Sequence, residues 1–292
     1  MSLTDDRAAL DQWYTLGALR DFPVGAETPS RLLGEDLTVR RLSDGVEVRA
    51  AGRTLPVRTD YGHLWTSFGT PEHALFALPE SQEPDRRWIH CGPVRVRASG
   101  LRLVENFLDL AHFPYVHTDI LGPEAHPEVA KYEVEQRRDV DELWATKCEF
   151  YQPKAAAASD EGQISKYMYR VVSPFNVMLY KTPPTAPDRW DVIALFVQPL
   201  DEAVSVAHAF MLVIDETSTD AELSAFQQMI FVQDKIVLEN QRPSLLPLQP
   251  GRETPTRADL SSVLYRRWLK EKQLRFGTEP RTDLQSTDLP NA

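Results

Sequence analysis

The stretch Glu105-Asn106-Phe107-Leu108-Asp109-Leu110-Ala111-His112-Phe113-Pro114-Tyr115-Val116-His117 places two imidazoles five residues apart, with a carboxylate three residues before the first. Five residues of an ideal helix turn through about 500°, so the two histidines would point about 140° apart. Pro114 lies between them and predicts a break, which lets His117 turn back towards His112. Asp109 shares a helix face with His112 and can hold its second ring nitrogen. The stretch therefore indicates a metal site, the alternative being two ordinary polar residues at a helix end.

A second segment, Phe226 to Glu239, supplies a carboxylate that would complete such a site. Its pattern is that of an amphipathic helix in which Phe226, Ile230 and Val237 set the apolar face, and Asp234 falls within that face. An ionised carboxylate there needs a compensating partner, either a metal ion or an arginine. Two histidines and one carboxylate with the other positions open form the facial triad of non-haem Fe(II) oxygenases, and zinc with the same ligands is the competing interpretation.

The elements around these two segments are segregated along the chain. Apolar spacing predicts three helices and a long strand-rich region: helices over 101–113, 219–242 and 258–272, and strands over most of 129–215. Before them, Leu37 to Leu42 and Val46 to Arg49 flank a Ser43-Asp44-Gly45 turn and predict a hairpin. Strands and helices grouped in this way predict the α+β class. GxGxxG, P-loop and GxSxG patterns are absent from the sequence, so the corresponding nucleotide and elbow-serine sites have no support.

The composition of the 292 residues excludes several classes of partner and cofactor. Subtracting 43 acidic from 32 basic residues gives a net charge of −11, which is unsuited to binding nucleic acid or an anionic membrane. Two cysteines, Cys91 and Cys148, are too few for a disulfide framework, a four-thiolate zinc site or a cysteine-ligated iron–sulfur cluster. No apolar run has membrane-spanning length and residues 1–7 lack a secretory pattern, so a cytoplasmic location is expected.

Three motifs, in order along the chain, resemble those of one family. Asn106-x2-Asp109-x2-His112-x4-His117 resembles the iron-binding signature in the catalytic α subunits of Rieske-type aromatic-ring and demethylating oxygenases. Residues 233–243, Gln-Asp-Lys-Ile-Val-Leu-Glu-Asn-Gln-Arg-Pro, look like the later helix that supplies the carboxylate ligand. Residues 258–269 resemble the terminal helix of the monooxygenase branch, which includes vanillate O-demethylase-like enzymes. The resemblance covers about residues 100–272.

This resemblance implies a helix-grip catalytic domain at 96–292, in which a curved antiparallel sheet closes over a long helix. It implies that His112, His117 and Asp234 are the ligands of one mononuclear Fe(II). Asp109 would be the carboxylate that bridges between the iron and an incoming electron, and Asn106 would be a polar residue behind the ligands. Family members usually form rings of three, so a trimer-based homo- or hetero-oligomer is implied for this chain.

The part before residue 96 departs from the family pattern. The family carries a Rieske domain there, with Cys-x-His and Cys-x-x-His pairs that hold a [2Fe–2S] cluster, and this sequence contains neither pair. Residues 31–39 and 61–65 resemble the opening and closing strands of that domain, but only a few residues separate Gly45 from Leu55, where the cluster-binding loops belong. Residues 1–95 are therefore predicted to form a truncated, all-β, Rieske-like region without a cluster.

A chain of this kind needs electrons from another protein. The arrangement resembles that of methylxanthine-demethylating members that lack a Rieske centre and work with a reductase carrying an extra one. It implies an O2-dependent oxygenase component that hydroxylates a small aromatic or heteroaromatic compound, or removes an N- or O-methyl group from one such as a methylxanthine. An external Rieske [2Fe–2S] and flavin reductase would be its partner. The alternatives are a non-catalytic scaffold subunit that pairs with a complete α subunit, and a zinc hydrolase that acts without O2.

Other polar residues are weaker candidates for the site. His208 shares a strand face with Val204, Val206 and Phe210 and could reach a pocket, although a core or surface role is favoured for it. Three further pocket candidates of the same kind are Asn176, Tyr167 and Tyr169. The histidines without ligand spacing are interpreted as surface or structural residues: His63, His73, His90 and His126.

Overall fold

Antiparallel sheets and α-helices make up the part of the chain that can be described. The computed structural model describes residues 3–157, 161–184 and 186–280, so residues 281–292 of the predicted domain 96–292 lie outside the described residues. The helices are α1 (Arg7–Leu10), α2 (Gly100–Leu108), α3 (Phe113–Val116), α4 (Asp220–Asn240) and α5 (Leu260–Glu271). The strands are β1 (Tyr14–Ala18), β2 (Glu27–Leu32), β3 (Glu35–Arg41), β4 (Val46–Ala50), β5 (Arg53–Leu55), β6 (Val57–Asp60), β7 (His63–Thr66), β8 (Arg87–Val96), β9 (Glu133–Arg137), β10 (Glu142–Gln152), β11 (Gln163–Ser173), β12 (Asn176–Lys181), β13 (Asp191–Asp201) and β14 (Val204–Val213).

The largest sheet has seven antiparallel strands in the order β8-β14-β13-β12-β11-β10-β9. Its edge strand β8 pairs with β14, with Ile89 opposite Met211. Strand β8 crosses the predicted domain boundary at 95/96, and nearly all of it lies on the N-terminal side although it belongs to this sheet. The division into two domains stays a prediction. The long helix α4 crosses one face of the sheet and leaves a cavity between itself and the strands. The α+β class and the helix-grip arrangement are confirmed.

Helix α4 begins with a reciprocal cap. Thr219 accepts the backbone N–H of Glu222, whose carboxylate accepts the backbone N–H of Thr219. Asp234 lies on the buried side as predicted, but Val237 is 42% exposed, so the prediction that it sets the apolar face is wrong. Leu238, four residues after Asp234, takes that inward position because residues four apart lie one above the other. Among the described residues, no helix combines the length and the apolar character needed to cross a bilayer.

The N-terminal part consists mainly of β-strands, as predicted, but it also contains the short helix α1, so the prediction that it is all β is wrong in that detail. It consists of a four-stranded sheet, β2-β3-β4-β5, and a three-stranded sheet, β1-β7-β6. The predicted hairpin is β3–β4, in which Val39 lies opposite Val48. Ala51 and Gly52 join β4 to β5 with φ values of 47° and 78°, which is the backbone of a two-residue turn matched to the twist of the strands. A tight hairpin therefore occupies the stretch between Gly45 and Leu55.

Three imidazoles lie where the N-terminal strands meet the seven-stranded sheet. His63 and His208 are 2% and 5% exposed, and the ring of His90 lies 4.8 Å from that of His63. Phe196 and Phe210 surround His63 edge-on. Burial lowers the pKa of His63 to about 3 and that of His208 to about 4, so both rings are neutral in the folded chain. The positions of His63, His90 and His208 support a structural role for all three.

Acidification is expected to destabilise the protein through His63 and His208. Their pKa is lower in the folded chain than in the unfolded chain, where it is about 6.5. The unfolded state therefore takes up protons first, and stability falls as the pH drops below about 6.5. Each residue should lower the free energy of unfolding by about 1.4 kcal/mol at pH 5.5, and the pair should lower it by about 3 kcal/mol. The free energy of unfolding in urea is measured at pH 7.5 and 5.5, and because His112, with its raised pKa, contributes with the opposite sign, the part due to the buried imidazoles is taken from the difference between variants.

Two variants isolate the contribution of the buried imidazoles. His63→Phe removes one of them and should reduce the loss between the two pH values by about 1.4 kcal/mol. His73→Gln changes an exposed histidine and should leave the loss as in the wild type. The same loss in His63→Phe and in the wild type would contradict the assignment.

Candidate metal centre

The backbone between α2 and α3 positions the two histidines. Helix α2 ends because Asp109 is extended, with φ −83° and ψ 125°, and its Oδ1 accepts the backbone N–H of Ala111 at 2.7 Å. His112 then precedes and His117 follows the single turn of α3. Pro114 does not end a helix, as was predicted, but lies in the first turn of α3, where its missing N–H is not needed. The break that lets the histidines converge therefore falls before the proline.

Hydrogen bonds fix the orientation of both imidazoles. His112 Nδ1 donates to Asp109 Oδ2 at 3.2 Å, the contact expected from their spacing, and His117 Nδ1 donates to Gln233 Oε1 at 2.7 Å. Because both partner atoms are acceptors, Nδ1 donates a hydrogen bond in each ring and Nε2 is the nitrogen left to face the centre of the site. The two Nε2 atoms face each other at 3.3 Å.

Asp234 completes a triangle of acceptor atoms. Its Oδ1 lies 2.9 Å from His117 Nε2 and 3.2 Å from His112 Nε2. Three such atoms held this close need a positive charge between them, which either a proton on an imidazole or a metal ion supplies. Among the residues that the structure describes, these three form the one cluster of His, Cys, Asp and Glu side chains with the spacing to hold a metal ion.

The spacing of the three atoms fits a single first-row metal ion. At metal–ligand distances of about 2.0–2.2 Å, neighbouring ligands lie about 3.0 Å apart at right angles and about 3.4 Å apart at tetrahedral angles. Burial lowers the pKa of His112, but Asp109 and Asp234 outweigh burial and raise it to about 9, so the surroundings stabilise a positive charge. Two imidazoles and one carboxylate are a donor set for Fe(II) and for Zn(II).

The triangle opens on a cavity of about 180 Å³. This cavity lies between α4 and the inner face of the seven-stranded sheet. Its walls are mainly apolar and aromatic, and include Phe107, Phe113, Leu179, Ile193, Phe226 and Ile230. Because all three candidate ligands line it as well, a molecule in the cavity lies directly beside the metal centre.

The other two predicted site residues lie at the end of α2. Asn106 lines the cavity, and its backbone carbonyl accepts the N–H of Asp109 at 3.1 Å. The side chain of Asp109 is 28% exposed while that of His112 is 12% exposed. Asp109 therefore connects the buried centre to the surface of the chain.

The strand candidates divide between the two faces of the sheet. Tyr167 and Tyr169 line the cavity. Asn176 lines a separate cleft, beside Trp13. His208 lies outside the cavity, with Nε2 at 3.1 Å from Gln198 Oε1, so it takes the core role rather than the surface one.

Sequence reasoning missed two polar residues of this region. Gln233 stands immediately before Asp234, but its contact with His117 depends on where the α3 turn returns the imidazole, which no local pattern shows. Lys181 lines the cavity, although as the last residue of β12 it has the sequence position of an exposed strand end. No sequence pattern distinguishes Gln233 or Lys181 from an ordinary surface residue.

Comparison with known proteins places this centre in a family. The profile of the vanillate O-demethylase oxygenase C-terminal domain matches residues 96–275. The chain is 45% identical over 271 residues to the probable methylxanthine N7-demethylase NdmC of Pseudomonas sp. (strain TJI-51), which covers 92% of this chain and 96% of that protein. It is 25% identical over 217 residues to the methylxanthine N1-demethylase NdmA of Pseudomonas putida, which covers 72% of this chain and 58% of that protein.

Solved structures share the fold. NdmA of Pseudomonas putida CBB5 with caffeine matches with a TM-score of 0.76 at 18% identity, over 91% of this chain and 92% of that chain. Dicamba monooxygenase bound to dicamba matches with a TM-score of 0.72 at 17% identity, over 91% of this chain and 97% of that chain. The fold is thus established by structure, and the family by the sequence profile and the 45% identical relative. The chain belongs to the vanillate O-demethylase family of Rieske-type non-haem iron oxygenases and is an oxidoreductase.

Proposed function

We propose that the chain is the mononuclear iron component of an O2-dependent demethylase, and that it removes the N7-methyl group of a methylxanthine. The observation that carries this proposal is the triangle of His112, His117 and Asp234, which opens on a mainly apolar cavity. The relative named as a probable methylxanthine N7-demethylase, 45% identical over 92% of this chain, supports the choice of substrate.

In this proposal His112, His117 and Asp234 hold Fe(II). Their donor atoms already converge, because Asp109 and Gln233 orient the two imidazoles from behind. Iron held there would supply the activation of O2 needed to insert one oxygen atom into a methyl C–H bond, and the resulting N–CH2OH group would lose formaldehyde. The second oxygen atom leaves as water, with two electrons and two protons that come from outside the chain.

The cavity walls orient the substrate and exclude water. The ring of Phe113 lies 5.0 Å from that of His112 and 6.3 Å from that of Tyr167, so aromatic side chains lead from the metal centre into the cavity. Flat aromatic and apolar walls favour a planar heterocycle, which they hold by stacking and by burial of apolar surface. The methyl group that is removed lies at the end of the cavity formed by the three ligands.

The chain holds no [2Fe–2S] cluster in this proposal. Cys91 on β8 and Cys148 on β10 lie five strand positions apart in the sheet, which is roughly 24 Å at the usual spacing of strands. Burial raises the pKa of both thiols to about 12, which disfavours the thiolate form that ligates iron. The two-residue turn at Ala51 and Gly52 also leaves no length for cluster-binding loops.

The electrons come from a separate Rieske [2Fe–2S] and flavin reductase. Asp109 is placed to mediate their entry, because its carboxylate contacts His112 on one side and is partly exposed on the other. A trimer-based homo- or hetero-oligomer, the arrangement implied by the family motifs, would present this carboxylate to the reductase.

The proposal predicts formaldehyde release that requires Fe(II), O2 and an external reductant together. Protein reconstituted anaerobically with Fe(II) should hold about one iron per chain and no acid-labile sulfide, and His112→Ala should hold no iron. With a reduced Rieske-type reductase, O2 and 7-methylxanthine, the wild type should release formaldehyde and form xanthine. Removal of the metal with a chelator should abolish release, Fe(II) should restore it, and Zn(II) should not.

Three outcomes would contradict the proposal in distinct ways. Turnover without O2 and reductant would favour a zinc hydrolase. Activity of a complex with a second α subunit that survives His112→Ala would favour a scaffold role for this chain. Faster release of formaldehyde from 1- or 3-methylxanthine than from 7-methylxanthine would support demethylase activity but assign it to a different ring nitrogen.

A further inference from the structure

Lys181 carries a buried positive charge into the cavity. The residue is 8% exposed and its side chain lines the cavity wall. Its Nζ donates to the backbone carbonyl of Ala155, and no carboxylate oxygen of the described residues lies within 4.0 Å of it. Two of its three N–H donors therefore have no acceptor from the described part of the chain. Burial accordingly lowers the pKa of this ammonium to about 8.

Strand register places Lys181 in a polar row across the cavity wall. It lies opposite Tyr167 of β11 and opposite Asp191 of β13, and side chains paired in this way point to the same face. The hydroxyl of Tyr167 is buried and has no hydrogen-bond partner among the described residues. Asp191 is already engaged, since its Oδ1 accepts the N–H of Ile214 at 2.8 Å and lies 3.7 Å from the guanidinium of Arg86. The row thus presents unused donors to whatever enters the cavity.

The row and the metal centre line the same cavity, with Phe113 between them. The ring of Phe113 lies 6.1 Å from that of His117 and 6.3 Å from that of Tyr167. Lys181 lies one strand beyond Tyr167, about 5 Å further along the wall. A substrate with its methyl group at the ligands therefore shares this cavity with the side chain of Lys181.

We propose that Lys181 determines substrate choice by donating hydrogen bonds to an oxo group on the ring edge farthest from the methyl group that is removed. This inference rests on the proposed function and deepens it. It defines the substrate class as planar heterocycles with a carbonyl acceptor on that edge, which is the 2-oxo group in 7-methylxanthine. A substrate without the oxo group leaves two N–H donors of the buried ammonium without an acceptor among the described residues, and such a mismatch rejects a ligand more strongly than the loss of an apolar contact does.

Binding of two ligands that differ in this oxo group, and in the hydrogen on the neighbouring N3 that is lost with it, tests the inference. Calorimetry without O2 on the iron-loaded protein compares 7-methylxanthine with 7-methylhypoxanthine, which lacks the 2-oxo group. Wild-type protein should bind 7-methylxanthine about 10- to 100-fold more tightly. In Lys181→Met the Kd of 7-methylxanthine should rise by a similar factor and the preference between the two ligands should disappear. This comparison is a double-mutant cycle between one side chain and one ligand group.

Control variants keep the test decisive. Lys166→Met makes the same change at an exposed lysine of β11 and should bind both ligands as the wild type does. Lys181→Met removes a buried charge at nearly constant side-chain length, so its thermal midpoint should be equal or higher, and Lys181→Gln, which keeps an N–H donor, should retain part of the preference. If Lys181→Met keeps the wild-type ratio of affinities, the inference is overturned while the proposed function stands. If the wild type binds neither ligand, the proposed function fails and the inference fails with it.

Discussion

Replacing Asp234 by alanine is expected to remove iron from the protein and to lower turnover by more than about 1,000-fold. Asp234 supplies the carboxylate of the triangle, with Oδ1 within 3.2 Å of both imidazole Nε2 atoms. Without it, two neutral imidazoles remain, and no anion of the triangle balances the charge of the metal ion in this buried position. Iron per chain after gel filtration and formaldehyde released from 7-methylxanthine measure the two effects.

Two further variants separate the charge of Asp234 from general effects on α4. Asp234→Asn keeps the shape of the side chain but removes the anion, and it should lose iron almost as completely as the alanine variant. Asp220→Asn changes a carboxylate of the same helix whose side chain is 74% exposed, and should keep iron and turnover within about two-fold of the wild type. A full complement of iron in Asp234→Ala would remove Asp234 from the ligand set.

Much of the fold could be predicted from the sequence, because the period of the apolar residues follows burial. The helices predicted over 219–242 and 258–272 are α4 and α5, and the predicted hairpin is β3–β4. The edge strand β8 could not be predicted in the same way. It pairs with β14, which comes much later in the chain, and a local period carries no information about the partner of a strand.

The candidate ligands could be chosen from the sequence, but the geometry that joins them could not. The spacing of residues gave the hydrogen bond between Asp109 and His112, since both lie within one turn. The position of Pro114 predicted the wrong place for the helix break between Asp109 and His117, because proline suits the first turn of a helix as well as the position after its end. Lys181 left no signal at all: every residue of β12 is buried, so the alternation that separates inward from outward residues is absent from that strand.

Asp109 is the residue whose replacement should separate iron binding from electron supply. Its carboxylate accepts the N–H of Ala111 with one oxygen and the Nδ1–H of His112 with the other, and it is not one of the three converging donor atoms. Removing it leaves the triangle in place but removes the link between His112 and the partly exposed edge of the site. We therefore expect Asp109→Ala to keep about one iron per chain and to lose at least about 100-fold in turnover.

The reason for that loss can be tested by changing the source of electrons. Asp109→Asn keeps an oxygen acceptor for His112 without the negative charge, and under the proposed role it should be as slow as the alanine variant. Stopped-flow absorbance should then show slow re-oxidation of the reduced Rieske reductase by both variants. Hydrogen peroxide carries oxygen and two electrons together, so formaldehyde formed with peroxide should stay within about 10-fold of the wild type in both. If Asp109→Asn, unlike Asp109→Ala, turned over at the wild-type rate with the reductase, the role of Asp109 would be to orient His112. If both variants lost as much activity with peroxide as with the reductase, the metal centre itself would have been damaged.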